Sequence, residues 1–326
     1  MMTKKRTLLF FLLIPVVCVV CVGMLIVALY IWNQLRWRDD LMEIASEAEP
    51  GDYEVTLKHD GRDRNYRLHL PPAYDGTTEL PLVIVLHGAS GNADISARMT
   101  GFDSKADAEG FIVVHPNGTG RLPNQILTWN AGGCCGYAIR KNADDIGFLR
   151  ALIERLSAEL AVDAERIYIT GMSNGGMMSL AAACELDDLI AGVGSVVGAM
   201  IWQGCEPEQP VHVIMINGTG DHIVRYEGGW LENPGSIDDS VHGAIISWTG
   251  HNGCGEASTS ELEGLVIDEH ENCANGSIVK LVTVIGGGHA WYGGRKGWPT
   301  DDDPSSELSA TDVLWEFFAA HPKARN

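Results

Sequence analysis

Five residues, Gly171-Met172-Ser173-Asn174-Gly175, constrain this chain more than any other stretch. A G-x-S-x-G pattern alone is short and common. Its setting gives it weight: the β-branched run Arg166–Thr170 leads directly into it, and an Ala/Met/Leu-rich helical stretch from Asn174 to Cys184 leaves it. Strand, sharp turn and helix make an elbow in which flanking glycines let the backbone crowd while the serine hydroxyl points outward. The bland alternative is a glycine-rich turn with an idle serine, and the two flanks argue against it.

The same alternation recurs along the chain. Leu82–Leu86, Phe111–Val114, Val211–Ile216 and Val279–Val284 are short apolar runs. Most are continuous and β-branched, as in strands buried on both faces of a parallel sheet. Ile146, Leu149, Ile153, Leu156 and Leu160 share one helical face behind a cap at Asp144 or Asp145, and Val313, Leu314, Phe317 and Phe318 mark a C-terminal helix. Tyr53–Lys58 and Asn65–Leu70 alternate more, which predicts an antiparallel start to a mixed sheet. The expectation is an α/β fold, with a mostly parallel central sheet and helices on both faces. Residues 51–326, 276 in all, hold no Ser/Pro-rich break and read as one catalytic-size domain.

The first fifty residues read differently. Lys4, Lys5 and Arg6 precede 25 uncharged residues, Leu8–Trp32. As a helix that run is about 37 Å long, against a hydrocarbon core of about 30 Å. Its length and the lack of an A-x-A site favour an uncleaved transmembrane signal-anchor over 1–32, with a cleaved signal segment as the alternative. Residues 33–50 are polar and acidic, a linker. The domain is then extracytoplasmic, either membrane-anchored or, after cleavage, secreted. Six of the eight cysteines lie beyond the apolar run, an even number that suits disulfides. Cys254 with Cys273 is the preferred pair, closing a short polar excursion. Cys134 and Cys135 are expected in two separate bridges, and with no C-x-x-C among the six a zinc site is not expected.

Charge narrows the partners. The chain has 23 Lys+Arg against 43 Asp+Glu, a net charge of −20. The first 40 residues hold five basic and two acidic side chains, so 18 basic and 41 acidic remain beyond them, a net of −23. A surface this acidic excludes nucleic acid as a partner and disfavours polyanionic substrates.

A serine hydroxyl needs a general base, itself held by a carboxylate. In the α/β-hydrolase order the acid and then the histidine follow the serine. Asp221 follows the strand Val211–Ile216 through Asn217-Gly218-Thr219-Gly220, and His289 follows the strand ending near Ile285 through three glycines. Both lie past strand ends, on the sheet edge where Ser173 sits. His222 is the rival base, but it adjoins its own supposed partner. For the oxyanion, the N–H of Asn174 and that of Ala89, in the loop His87-Gly88-Ala89, are the candidate donors. Trp129 and Trp291 are candidate walls of a substrate pocket.

Six blocks in order, Leu86-His87-Gly88, Trp129–Gly136, Asp144–Gly147, Gly171–Gly175, Gly218–Asp221 and Gly288–Trp291, resemble the polyhydroxybutyrate-depolymerase-like and feruloyl-esterase-like branch of the α/β hydrolases. The resemblance covers roughly residues 53–320. It implies an exported serine esterase acting on carboxylic esters, feruloyl or short-chain ahead of hydroxyalkanoate oligomers. It also implies a triad of Ser173, Asp221 and His289, with no metal or organic cofactor. The alternative from another class is a membrane-tethered, non-catalytic binding domain on the same fold. Asn117, Asn217 and Asn275 begin glycosylation sequons, and Asp301–Asp303 is read as a solvated acidic loop ahead of a calcium site.

Overall fold

Side chains that leave a strand alternately to its two faces decide how this sheet is covered. The computed structural model describes residues 41, 49–229, 231, 238–297, 302–304, 306 and 308–323. The expected anchor, 1–32, and nearly all of the linker lie outside the described residues. Among those described, no helix is long and apolar enough to cross a membrane.

In chain order the strands are β1 (Gly51–His59), β2 (Arg62–Leu70), β3 (Leu80–Leu86), β4 (Ile112–Pro116), β5 (Val162–Met172), β6 (Gly192–Val196), β7 (His212–Gly218), β8 (Ser258–Leu262), β9 (Leu265–His270) and β10 (Val279–Val284). They form one sheet in the order β1-β2-β4-β3-β5-β6-β7-β10-β9-β8. The block from β4 to β10 is parallel throughout. The expected antiparallel opening is present: β1 pairs β2 from Gly51↔Leu70 to His59↔Arg62. At the far edge β8 and β9 add an antiparallel hairpin to β10.

The parallel strands are buried on both faces, as their uncharged runs predict. Leu82, Ile84 and Leu86 of β3 pack into one core, Val83 and Val85 into the other; Val213 and Met215 of β7 likewise oppose Ile214 and Ile216. The first core is covered by α4 (Asp145–Glu159), α5 (Asn174–Glu185) and α6 (Val241–His251). The second is covered by α1 (Ala93–Thr100), α2 (Phe102–Glu109) and α7 (Ala310–Ala320). A short α3 (Gly136–Arg140) lies in the loop before α4. Asp144 caps α4, its carboxylate accepting from the Gly147 N–H at 3.0 Å. In the second core Tyr168 stacks on Phe318 and Phe111 on Trp315, with ring centroids 4.6 and 3.9 Å apart.

Among the strands, β6, β8 and β9 were not expected, and neither were the helices α1, α2, α3 and α6. β6 reads Gly-Val-Gly-Ser-Val, too short and too poor in β-branched residues to stand out, and a Cβ at Gly194 would collide with Leu314 of α7. Gly194 is there so that a helix can press on the sheet, while Gly192 makes room for His212 of β7. The β8–β9 hairpin is exposed at every β8 position, so no burial pattern betrays it. The Cys254–Cys273 disulfide brackets that hairpin, the pairing expected from the polar excursion. Cys184 pairs with Cys205, and Cys134 with Cys135. The last pairing corrects the expectation of two separate bridges, because the other four cysteines already pair among themselves.

Candidate active site

β5 runs straight into the elbow, and Ser173 turns with φ 55 and ψ −120, a conformation costly for any residue with a Cβ. The turn is tight because Gly171 and Gly175 leave no room for side chains: a Cβ on either would fall on the Leu86 carbonyl of the neighbouring strand. The Ser173 N–H donates to the Val196 carbonyl at the end of β6, at 2.9 Å. Ser173 is half-buried, at the edge of a cavity of about 500 Å³ that His289 and Ala89 also line.

The loops after β7 and β10 are laced together. Thr219 N–H donates to Val284, Gly220 N–H to Gly287, and Gly286 N–H to Thr219 Oγ1, at 3.0, 2.9 and 2.8 Å. The lacing brings Asp221 and His289 together, with Nδ1 of the imidazole 2.7 Å from Asp221 Oδ2. The other carboxylate oxygen accepts from the N–H groups of Ile223 and Val224 at 2.8 and 2.9 Å. A carboxylate only accepts, so Nδ1 carries the proton and Nε2 keeps the lone pair. Both side chains are nearly closed to solvent, at 4% and 7% exposure. His222, the rival base, is exposed.

Asp302 was not singled out by sequence, beyond its place in an acidic run. Its Oδ2 accepts from the His289 N–H at 2.6 Å, and the Tyr292 hydroxyl donates to the Gly288 carbonyl at 2.7 Å, so the histidine loop is held from both sides. Burial, ahead of the charges of Asp221 and Asp302, pushes the Tyr292 phenol up, which keeps it a neutral donor.

The oxyanion candidates sit on the other side of Ser173. Asn174 opens α5, and the first N–H of a helix has no intrahelical acceptor. Its side chain is engaged elsewhere: Oδ1 accepts from Trp129 N–H at 2.7 Å and Nδ2 donates to the Trp129 carbonyl at 3.0 Å. The loop bearing Ala89 is shaped by His87, which is buried and, by desolvation first of all, pushed down to about 4. Neutral, it donates from Nδ1 to the Gly88 carbonyl at 2.8 Å and accepts at Nε2 from the Gly118 N–H at 3.0 Å. A protonated ring could not accept that bond.

Trp129 and Trp291 are not at the cavity. They are 0% and 1% exposed, and their indole N–H groups donate inward, to the His87 carbonyl at 2.9 Å and to Thr311 Oγ1 at 3.0 Å. An indole needs such a partner when buried, and here the partners lie in the core. The walls are aliphatic instead: Ile95, Met99, Ile126, Met172 and Ile223, with no Lys, Arg, Asp or Glu among the described lining residues. For metals, Asp52, His69 and Asp103 have ligand-like spacing, but Arg67 already bonds both carboxylates at 3.1 and 3.0 Å.

Comparison with known proteins agrees with this architecture. The family model described as Esterase PHB depolymerase matches residues 64–220. The chain is 32% identical over 281 residues to the putative esterase NocK of Nocardia uniformis subsp. tsuyamanensis, covering 78% of this chain and 80% of that protein. It is 31% identical over 243 residues to feruloyl esterase B of Piromyces equi, covering 72% of this chain but spanning only 44% of that protein. Among solved structures, an acetyl xylan esterase from Aspergillus awamori superposes with a TM-score of 0.58 at 12% identity, covering 82% of this chain and 99% of that one, a likeness of fold.

Proposed function

This chain belongs to the PHB depolymerase-like and feruloyl esterase-like family of α/β hydrolases, and on that premise we propose that it hydrolyses carboxylic esters through an acyl-enzyme on Ser173. The observation that supports this most directly is the 2.7 Å bond from His289 to Asp221, at the rim of the cavity that Ser173 and His289 share. Ser173 Oγ attacks the ester carbonyl while His289 Nε2 takes its proton. The N–H groups of Ala89 and Asn174 hold the oxyanion of the tetrahedral intermediate. Its collapse breaks the bond to the alcohol oxygen, and His289 returns the proton to the departing alcohol. Water then repeats the sequence on the acyl-enzyme and releases the acid. Asp221 orients the imidazole and stabilises its charged form.

The aliphatic, uncharged cavity of about 500 Å³ supports an apolar or phenolic acyl group over a charged one. With the name of the Piromyces equi relative, this favours feruloyl and short-chain esters over hydroxyalkanoate oligomers. The Cys184–Cys205 and Cys254–Cys273 disulfides suit an oxidising compartment, so the domain works outside the cytoplasm, tethered or exported by residues 1–32.

The test is hydrolysis by the full chain of p-nitrophenyl acetate and butyrate, methyl ferulate and a 3-hydroxybutyrate oligomer, beside Ser173→Ala. Methyl ferulate and the short esters are expected to turn over faster than the oligomer, with the variant at least about 10⁴-fold slower on each. Equal turnover by wild type and variant would refute the serine mechanism. A folded wild type inert on the whole panel would leave the non-catalytic binding domain as the reading.

A further inference from the structure

An acidic protein repels anions, so a local excess of cations within one is informative. Beyond residue 40 this chain has 18 Lys and Arg against 41 Asp and Glu, and many described cations are held by those acids. Arg67 bonds Asp52 and Asp103, Lys105 bonds Glu109 and Asp312, Arg150 bonds Asp188 and Lys280 bonds Glu269.

One cleft departs from that pattern. It measures about 510 Å³ and is lined by Arg62, Arg64, Arg121 and Lys141, with Asp63 the single acid. Arg64 is answered by buried Asp145 at 2.8 Å. No ion pair to a described residue holds Arg62, Arg121 or Lys141; the Lys141 ammonium lies 5.9 Å from the Tyr137 ring, also in the lining. Two buried polar atoms of lining residues, Thr119 Oγ1 and Arg64 Nε, have no partner among the described residues.

The cleft adjoins the catalytic cavity. The two are separated by one strap, residues 118–128, closed on itself by the paired bonds of Thr119 and Thr128. The strap is tied to the oxyanion loop by Ser90 N–H to Leu127 at 2.8 Å and Leu127 N–H to Gly91 at 3.2 Å. Ile126 faces the catalytic cavity, while Leu122, Asn124 and Leu127 face the basic cleft.

We propose that this cleft is a subsite for a carboxylate-bearing sugar, a uronate in the alcohol portion of the ester. This rests on the esterase reading above. Arginine presents a planar fork that matches a carboxylate, and an aromatic ring offers a flat face to a sugar ring. Asn65 Nδ2 donates to Asn124 Oδ1 at 2.9 Å, and the Asn124 amide N–H groups suit a neutral sugar hydroxyl beside the carboxylate. The net charge of −20 repels a densely anionic polymer, but one carboxylate per few sugars meets only the local cations. The acyl group then lies on the aliphatic side of the strap and the charged sugar on the other.

The test uses the full chain, with and without Arg121→Gln/Lys141→Gln, and reads binding apart from turnover. A uronate trisaccharide is titrated calorimetrically beside its carboxyl-reduced counterpart, at low and high salt. The uronate is expected to bind about tenfold more tightly, the difference shrinking to about twofold in the variant and at high salt. In parallel, kcat/KM is compared for a feruloylated oligosaccharide with and without a uronate; the wild-type ratio of about ten should fall towards one in the variant. Equal binding of the two trisaccharides overturns the subsite while leaving ester hydrolysis standing. Inorganic phosphate displacing the uronate at equal affinity overturns the sugar assignment in favour of a general anion site. Selective uronate binding with no hydrolysis of either ester overturns the esterase reading, and with it the place of this sugar in a substrate.

Discussion

The two sides of the catalytic cavity are built in opposite ways. On one side Ser173, Asp221 and His289 stand on turns that close the ends of β5, β7 and β10, laced by hydrogen bonds of 2.8–3.0 Å and nearly shut to solvent at Asp221 and His289. On the other side Ile126 and Ile223 project from loops, each 62% exposed, and Ile126 takes φ 52, a left-handed conformation that a β-branched residue seldom adopts. The first side holds groups whose spacing tolerates no drift. The second offers replaceable aliphatic surface. On the proposed reading, chemistry is thus tied to the sheet and acyl preference to the loops.

The largest effect is expected on the rigid side. Asp221→Asn keeps the shape of the carboxylate but removes its acceptor-only character, so the imidazole can settle in the wrong tautomer. A loss of about 10³–10⁴-fold in kcat is expected, with KM little changed. A loss under tenfold in steady-state kinetics would mean that another group orients His289.

Across the strap, at the basic cleft, lies the Arg64–Asp145 pair, 5% and 1% exposed, with Asp145 also accepting from the Asn130 N–H at 2.8 Å. Asp145→Ala leaves a buried guanidinium without its counter-ion. We expect a destabilisation of about 3–5 kcal/mol by denaturant unfolding; a change below about 1 kcal/mol would make the pair incidental.

The loop side should respond more gently. Removing both aliphatic walls in Ile126→Ala/Ile223→Ala should raise KM for methyl ferulate about tenfold and alter kcat by less than about threefold. Ile126→Gly sharpens the point, because it loses affinity yet relieves the left-handed strain, so its Tm should not fall below wild type. An Ile126→Gly protein several degrees less stable would mean that the residue supports the fold.

The smallest effect is set by pH. Burial holds His87, and burial with the neighbouring His321 holds His212, each pushed down to about 4 from an ordinary value near 6.5. Between those values the unfolded chain binds more protons than the folded one, so stability is present above about pH 6.5 and is lost as pH falls towards 4. His87→Gln should flatten that decline in a Tm-against-pH series, and an unchanged slope would remove His87 from the account.

What was legible in the sequence follows the range of the forces involved. The strand-turn-helix at Ser173 and the turns that bring Asp221 to His289 were legible because glycine-rich turns after β-branched runs are local signals, and the alternation of β1 and β2 was equally local. β6 was invisible because Gly194 answers a helix more than 110 residues later in the chain, at Leu314 and Phe318, and Gly192 answers His212 of the next strand. Asp302 read as surface charge because its partner is a backbone N–H, which has no side-chain signature. The tryptophans misled for a related reason: size and aromaticity do not say which way an indole N–H finds its acceptor. The aliphatic walls come from α1, the strap, the end of β5 and the loop after Asp221, distant segments that only the fold brings together.

Ser173 is the proposed nucleophile, and covalent labelling reads its reactivity at the atom concerned. The full chain is treated with a fluorophosphonate, digested and read by mass spectrometry, beside Ser173→Ala. A single adduct on the Ser173 peptide, absent from the variant and accompanied by complete loss of ester hydrolysis, is the result expected. A wild type that hydrolyses esters yet carries no adduct on Ser173, or a variant that keeps its turnover, would contradict the account.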